Sequence, residues 1–164
     1  NHPSIGFWAL PGGFAEMREN LEDTARRELE EETGVKGLPM EQFAVYGDYD
    51  RDPRTRVITT AYLSLVEEND VTVQAGDDAA DAAWCSVDLQ RKESHPGVLE
   101  RNIWELRITN EEKKLDTCAA VEEIRREGLI RERKYRVLSG GKIAVDHAAI
   151  LVQALCLLRE RLAE

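Results

Sequence analysis

Apolar positions fall into short runs that change period along the chain. Ile5-Gly6-Phe7-Trp8-Ala9-Leu10 reads as a short strand or extended segment, stopped by Pro11-Gly12-Gly13. In the polar stretch that follows, Leu21, Ala25 and Leu29 recur at helical spacing. Asn20, with Asp23 three positions on, can cap that helix, and Gly34 can stop it. Phe43–Tyr49 reads as a strand, Asp50-Arg51-Asp52-Pro53-Arg54 as a turn, and Arg56–Val66 as a long strand rich in β-branched and aromatic residues. An acidic loop over Val71–Asp81 and a short strand over Ala82–Val87 complete this half.

From about residue 91 to 142 the pattern changes. Ile103–Thr109 alternates as a half-buried strand should, Thr117–Arg126 fits a strand or a helix, and Leu129–Leu138 alternates again. These segments predict a β-rich insertion of two or three strands. After it, Asp146 is placed to cap a helix whose apolar positions Ile150, Leu151, Ala154, Leu155, Leu158 and Leu162 recur at helical spacing. Helices mixed with antiparallel signals predict an α+β or α/β/α sandwich, with residues 1–164 as one domain. The chain enters its first apolar stretch almost at once, so an upstream strand is expected to be missing from this sequence.

Charge sharpens the picture in one place. The chain carries 22 Lys+Arg against 32 Asp+Glu, a net of −10, the wrong sign for a general nucleic-acid binder. Between Gly12 and Val35, eight acids and three bases leave −5, half of the total. No apolar run approaches the roughly 20 residues of a membrane helix, and no secretory signal is recognised, so a cytoplasmic location is expected. Cys85, Cys118 and Cys156 lack metal-ligand spacing and read as buried free thiols.

On a helix, about 100° per residue puts Glu28, Glu31 and Glu32 within one arc of about 100°, which Leu21 and Ala25 share. This face is therefore expected to turn toward the protein. Like charges about 5 Å apart repel by roughly 3 kcal/mol per pair at an effective dielectric near 20, so the cluster calls for a cation. Hard oxygen ligands favour Mg²⁺ or Mn²⁺.

The wider spacing is more specific still. Gly13, five residues, Glu19, seven residues, Arg27-Glu28-Leu29, one residue, Glu31-Glu32, one residue and Gly34-Val35 make a complete Nudix box. Nine specified positions match by chance in on the order of one chain in 10⁵. The chain thus resembles the Nudix hydrolases, which cleave nucleoside diphosphates linked to another moiety. The resemblance implies a Nudix-type α/β/α sandwich with a mixed sheet, interrupted here by the insertion. It makes Glu28, Glu31 and Glu32 metal-binding and catalytic residues, with the Gly12 carbonyl as a further metal ligand and Glu19–Arg27 as a supporting ion pair. A later loop carboxylate, Asp77, Asp78 or Asp81, is a weaker catalytic candidate.

Three other segments, residues 7–13, 50–65 and 145–151, are similar to the ADP-ribose pyrophosphatase-like branch. That similarity implies cleavage of ADP-ribose to AMP and ribose 5-phosphate, a small nucleotide substrate, and a homodimer, as relatives often form. Arg51, Arg54 and Arg56 are candidates to meet the substrate phosphates, against the alternative that they pair with acids of their own turn. His147 and the three tryptophans, Trp8, Trp84 and Trp104, read better as packing residues than as ligands. Two other functions fit the same box: an ADP-ribose-sensing transcriptional regulator and a nucleoside triphosphate pyrophosphohydrolase. The six bases and two acids of Arg125–Arg136 read as a solvated hairpin rather than a nucleic-acid patch.

Overall fold

A computed structural model of the chain describes residues 6–67 and 82–164. Their order is α1 (Leu21–Thr33), β1 (Glu41–Tyr46), β2 (Thr59–Leu63), β3 (Ser86–His95), β4 (Glu100–Asn110), β5 (Leu115–Arg126), β6 (Glu132–Ser139) and α2 (His147–Leu162). The class is α+β, as the sequence predicts. Every named strand pairs antiparallel, in a β1-β2 ribbon and a β3-β4-β5-β6 meander. Parallel pairing among the described residues is confined to one bridge, Trp8 with Ile143. The chain divides into two compact units: residues 10–49 and 57–84, and residues 1–9, 50–56 and 85–164.

In the first unit, α1 ends where Gly34 adopts a left-handed φ of 81° and its N–H returns to the Glu30 carbonyl, a closure glycine makes without a Cβ penalty. Asn20 occupies the cap position, yet its side chain makes no capping bond. The buried residues of α1 are Thr24 and Thr33, whereas Leu21 is 50% exposed, so the apolar arc expected around Leu21 is not the buried face. The strands also depart from their predicted bounds. β1 is Glu41–Tyr46 where the sequence predicts Phe43–Tyr49, and β2 keeps only Thr59–Leu63 of the expected Arg56–Val66.

The second unit holds the core. Leu106, Ala119 and Val121 are almost fully buried on one face of the meander, against which α2 packs. Residues 91–142 are β-rich, as expected, but among the described residues they belong to a sheet of four strands rather than two or three, its first strand β3 starting at Ser86. Thr117–Arg126, open between strand and helix in the sequence, falls in strand β5. Its one-face alternation (Leu115, Thr117, Ala119, Val121, Glu123 buried) is the period-2 pattern of a half-covered sheet. The buried residues of α2 are Ala148, Ala149, Ile150, Val152 and Cys156, so Ile150 of the expected apolar positions is buried while Leu162 is 85% exposed. The helix is apolar on several faces, so its apolar spacing alone does not select the inward one. Where the chain returns from β6, Gly141 has a φ of 56°, and a side chain there would collide with Thr117 and the Cys118 carbonyl. Among the cysteines, Cys156 is buried with its thiol pushed up to about 12 by burial, but Cys118 is exposed, against expectation.

Candidate active site

The loop from Gly12 to Glu19 and helix α1 build one cluster. Gly13 sits so close to Glu28 that a Cβ there would meet the end of its side chain, so any other residue at this point would push the Glu28 carboxylate aside. Arg27 then joins loop and helix. Its Nε donates to Glu19 Oε2 at 2.7 Å, and its Nη2 to Glu19 Oε1 at 2.9 Å and to the Phe14 carbonyl at 3.2 Å. Its Nη1 donates to Glu28 Oε1 at 2.7 Å and lies 3.4 Å from Glu31 Oε2. This fork holds the Glu19 carboxyl at about 2, and the guanidinium is raised in return.

Glu32 is served differently. Its Oε2 accepts the Gly12 N–H at 3.2 Å. Burial pushes its carboxyl up to about 7, the Gly12 N–H opposes the rise, and the neighbouring Glu28 and Glu31 charges add to it. Among the described residues, no three His, Cys, Asp or Glu side chains converge as a ready-made metal cage. Glu28 is turned toward Arg27 and Glu32 toward Gly12. The donor chemistry still suits a hard divalent ion: three carboxylates on one helical arc, with the Gly12 backbone bonded to Glu32.

The arginine turn belongs to the other unit. Arg51 is buried, and its Nε and Nη2 reach the two Asp146 carboxylate oxygens at 2.9 and 2.7 Å. That bidentate pair joins residues 95 positions apart. It also explains why Asp146 stands at the N-cap position of α2 without a side-chain capping bond. Arg54 wraps Asp52, with bonds of 2.9, 3.1 and 3.0 Å from its backbone N–H, Nε and Nη2, and this holds the Asp52 carboxyl below its ordinary range. Arg56 is exposed. Beside Asp146, burial lowers the pKa of His147. Trp104 donates to Glu123 and lies under the Arg159 guanidinium, 5.7 Å from ring centre to Cζ, so it is committed to packing. In the hairpin, Arg125 and Arg133 pair with Glu127 and Glu160, and Arg136 with Glu122. Asp77, Asp78 and Asp81 lie outside the described residues. Two participants escaped the sequence reading. The Phe14 carbonyl carries no sequence signal, whereas Thr24 stands one turn before Arg27 at a position where an inward helical residue would be apolar.

The model of the NUDIX domain matches residues 1–101. The chain belongs to the Nudix family. Over 82 residues this Nudix chain is 42% identical to an ADP-ribose pyrophosphatase of Methanocaldococcus jannaschii, covering 50% of this chain and 47% of that protein. Over 68 residues it is 41% identical to the ADPR responsive transcriptional repressor NtrR of Acinetobacter baylyi, covering 40% of this chain and 27% of the repressor. A diphosphoinositol polyphosphate phosphohydrolase 2 of Rattus norvegicus is 33% identical over 69 residues, 42% of this chain and 38% of that protein. The match thus spans less than half the length of each of these relatives. No solved structure gives a significant match. Among the described residues, no helix is long and apolar enough to cross a membrane.

Proposed function

We propose that this Nudix chain hydrolyses the pyrophosphate of ADP-ribose, or of a closely related nucleoside diphosphate, to AMP and ribose 5-phosphate. The observation that carries this reading is the crowding of Glu28, Glu31 and Glu32 on one helical arc, where burial above all, and after it the Glu28 and Glu31 charges, push the Glu32 carboxyl up to about 7. Such crowding is unfavourable in the free protein and turns favourable when a cation joins it. Mg²⁺ or Mn²⁺ would be held by Glu28, Glu31, Glu32 and the Gly12 carbonyl. When bound, the ion offsets charge on the pyrophosphate and acidifies a water. The protein's own part is positional. Glu19 and Arg27 tie the loop to α1 and keep Gly12 beside the carboxylates. Glu32, near neutrality in its proton affinity, is suited to take up and release a proton at working pH.

The similarity to an ADP-ribose pyrophosphatase supports this substrate. In the same reading, Arg51 supports the start of α2 through Asp146, while Arg54 and Arg56 remain candidates for phosphate contact. We read the working protein as cytoplasmic and homodimeric, as in the resembled branch.

A second reading, an ADP-ribose sensor, is favoured by the similarity to the Acinetobacter baylyi repressor. Incubation with ADP-ribose and Mg²⁺ separates the two. Release of AMP is the expected result, while tight binding without turnover, together with a DNA gel shift, would favour the sensor. A parallel panel of nucleoside triphosphates and nucleotide sugars tests the triphosphate alternative.

A further inference from the structure

Thr24 is the residue of α1 whose chemistry the box does not account for. It is 7% exposed, and its Oγ1 lies 2.7 Å from Glu19 Oε1 and 3.3 Å from the Asn20 carbonyl. A hydroxyl carries one hydrogen. The carboxylate oxygen is both nearer and charged, so the hydrogen goes to Glu19. The helix does not need the weaker bond, because the Thr24 N–H already donates to the Asn20 carbonyl at 3.0 Å. Glu19 Oε1 therefore receives Thr24 Oγ1, Arg27 Nη2 and, at 3.2 Å, the Glu16 N–H.

We propose that Thr24 is a positioning residue for the glutamate cluster, acting through Glu19 and Arg27. Its hydroxyl fixes the plane of the Glu19 carboxylate, and that plane sets the fork of Arg27. The consequence is felt one atom further on. Arg27 Nη1 already bonds Glu28 and leans toward Glu31, so an Arg27 less firmly held by Glu19 shifts toward the carboxylates that a divalent ion needs. Removing the hydroxyl makes Arg27 a stronger competitor for the ion. This rests on the proposed function only in taking Glu28 and Glu31 as metal-binding groups.

The test compares the wild-type chain with Thr24→Val, which keeps the shape and loses the hydroxyl, and Thr24→Ser, which keeps the hydroxyl. Three readouts are taken: Mn²⁺ affinity by electron paramagnetic resonance of the free ion, ADP-ribose turnover at limiting and saturating Mn²⁺, and Tm. Thr24→Val is expected to weaken Mn²⁺ binding about tenfold, the lower end of what outer-shell partners of metal ligands contribute. The Mn²⁺ concentration for half-maximal turnover rises by the same factor, and Thr24→Ser stays within about twofold of wild type. Equal Mn²⁺ affinity for the valine and serine variants overturns the proposal, as does a loss that follows Tm across the series. If Thr24→Val does not fold, Thr24→Ala is judged by the same two criteria. Wild-type protein that binds Mn²⁺ but leaves ADP-ribose intact overturns the proposed substrate while the Thr24 claim is still decided by affinity. Wild-type protein that binds no Mn²⁺ overturns both.

Discussion

Adjacent glutamates occur at the end of α1 and in the middle of β5, and their surroundings are opposite. In β5, Glu122 and Glu123 point to the two faces of the sheet. Glu122 accepts Arg101 Nε at 2.6 Å and Arg136 Nη2 at 3.0 Å, and Arg101 above all holds its carboxyl below the ordinary range. Glu123 is fully buried and accepts Asn102 Nδ2 and Trp104 Nε1, each at 3.0 Å, and the Tyr135 hydroxyl. In α1, by contrast, the helix puts Glu28, Glu31 and Glu32 on one side, with the Arg27 guanidinium reaching Glu28 and Glu31, while Glu32 has the Gly12 N–H against burial and the Glu28 and Glu31 charges. The difference separates two settings of one side chain. The β5 glutamates are matched by donors, and the α1 glutamates carry an excess of negative charge, the setting that our proposed function assigns to a cation.

Removing one member of each set should break the protein in different ways. The largest effect is expected for Glu123→Ala, which leaves the donors of Asn102, Trp104 and Tyr135 buried without their acceptor. At about 1–3 kcal/mol for each stranded group, the loss is at least about 3 kcal/mol. Urea unfolding measures it, and turnover per folded molecule should change little. Next comes Glu32→Gln, expected to lower kcat about 10²-fold or more, the scale of a lost acid-base or metal group. Its stability should move the other way. In metal-free protein at pH 8, the amide removes a charge the fold disfavours, so Tm should rise slightly; at pH 5, where Glu32 is protonated, Tm should match wild type. A Glu32→Gln variant that keeps full turnover or melts well below wild type would erase the distinction between the two sets.

How much of this could be read beforehand follows the same division. The α1 cluster was legible because its residue types stand at fixed spacing, and the structure brings Arg27 onto Glu19 and Glu28, and Glu32 onto the Gly12 N–H. The meander was legible as β structure because alternation survives in β4 and β6, while the β5 segment fits a strand or a helix. Its interior was not. Glu123 carries no signal of its role in the sequence, since its partners, Asn102 and Tyr135, are opposite it only once the strand register is set. The α2 stripe was legible only in part for a related reason: when a helix is apolar on several faces, periodicity cannot choose one, and the buried set keeps Ile150 of the expected positions but adds Ala148, Ala149, Val152 and Cys156. For Arg51, phosphate contact and pairing within its own turn both stood open, and its partner Asp146, 95 residues away, was in neither reading; Thr24 was passed over because a lone hydroxyl carries no periodic signal.

A middle-sized effect comes from pH. In the folded, metal-free chain Glu32 keeps its proton up to about 7, against 4.5 for the same group unperturbed. The raised value means its contribution to stability is full below about 4.5 and is lost as pH rises through 7. A divalent ion must displace that proton. Mn²⁺ affinity should therefore rise about fivefold from pH 6 to 7 and about twofold from pH 7 to 8, as a single group at 7 requires. Calorimetric titration at the three values tests it, and a flat profile would remove Glu32 from the site. Glu19 behaves oppositely. With its carboxyl held at about 2, its contribution is present above 4.5 and is lost only as pH falls toward 2.

The smallest effect is expected where a good geometry meets open solvent. Arg107 donates to Asp116 from Nε at 3.0 Å and Nη2 at 2.8 Å, a bidentate pair as regular as any around Glu122. Its two side chains, however, are 53% and 60% exposed, against 11% for Glu122. Water and salt compete for both partners, and holding two long side chains in one pose costs rotamer freedom, so exposed pairs contribute little. Arg107→Ala should leave Tm within about 2 °C of wild type, with less difference still at high salt. Arg101→Ala removes one of the two guanidiniums on a nearly buried carboxylate and should cost clearly more. If the two variants melt alike, burial does not set the worth of a carboxylate's donors in this sheet, and the contrast between β5 and α1 would have to rest on the number of partners alone.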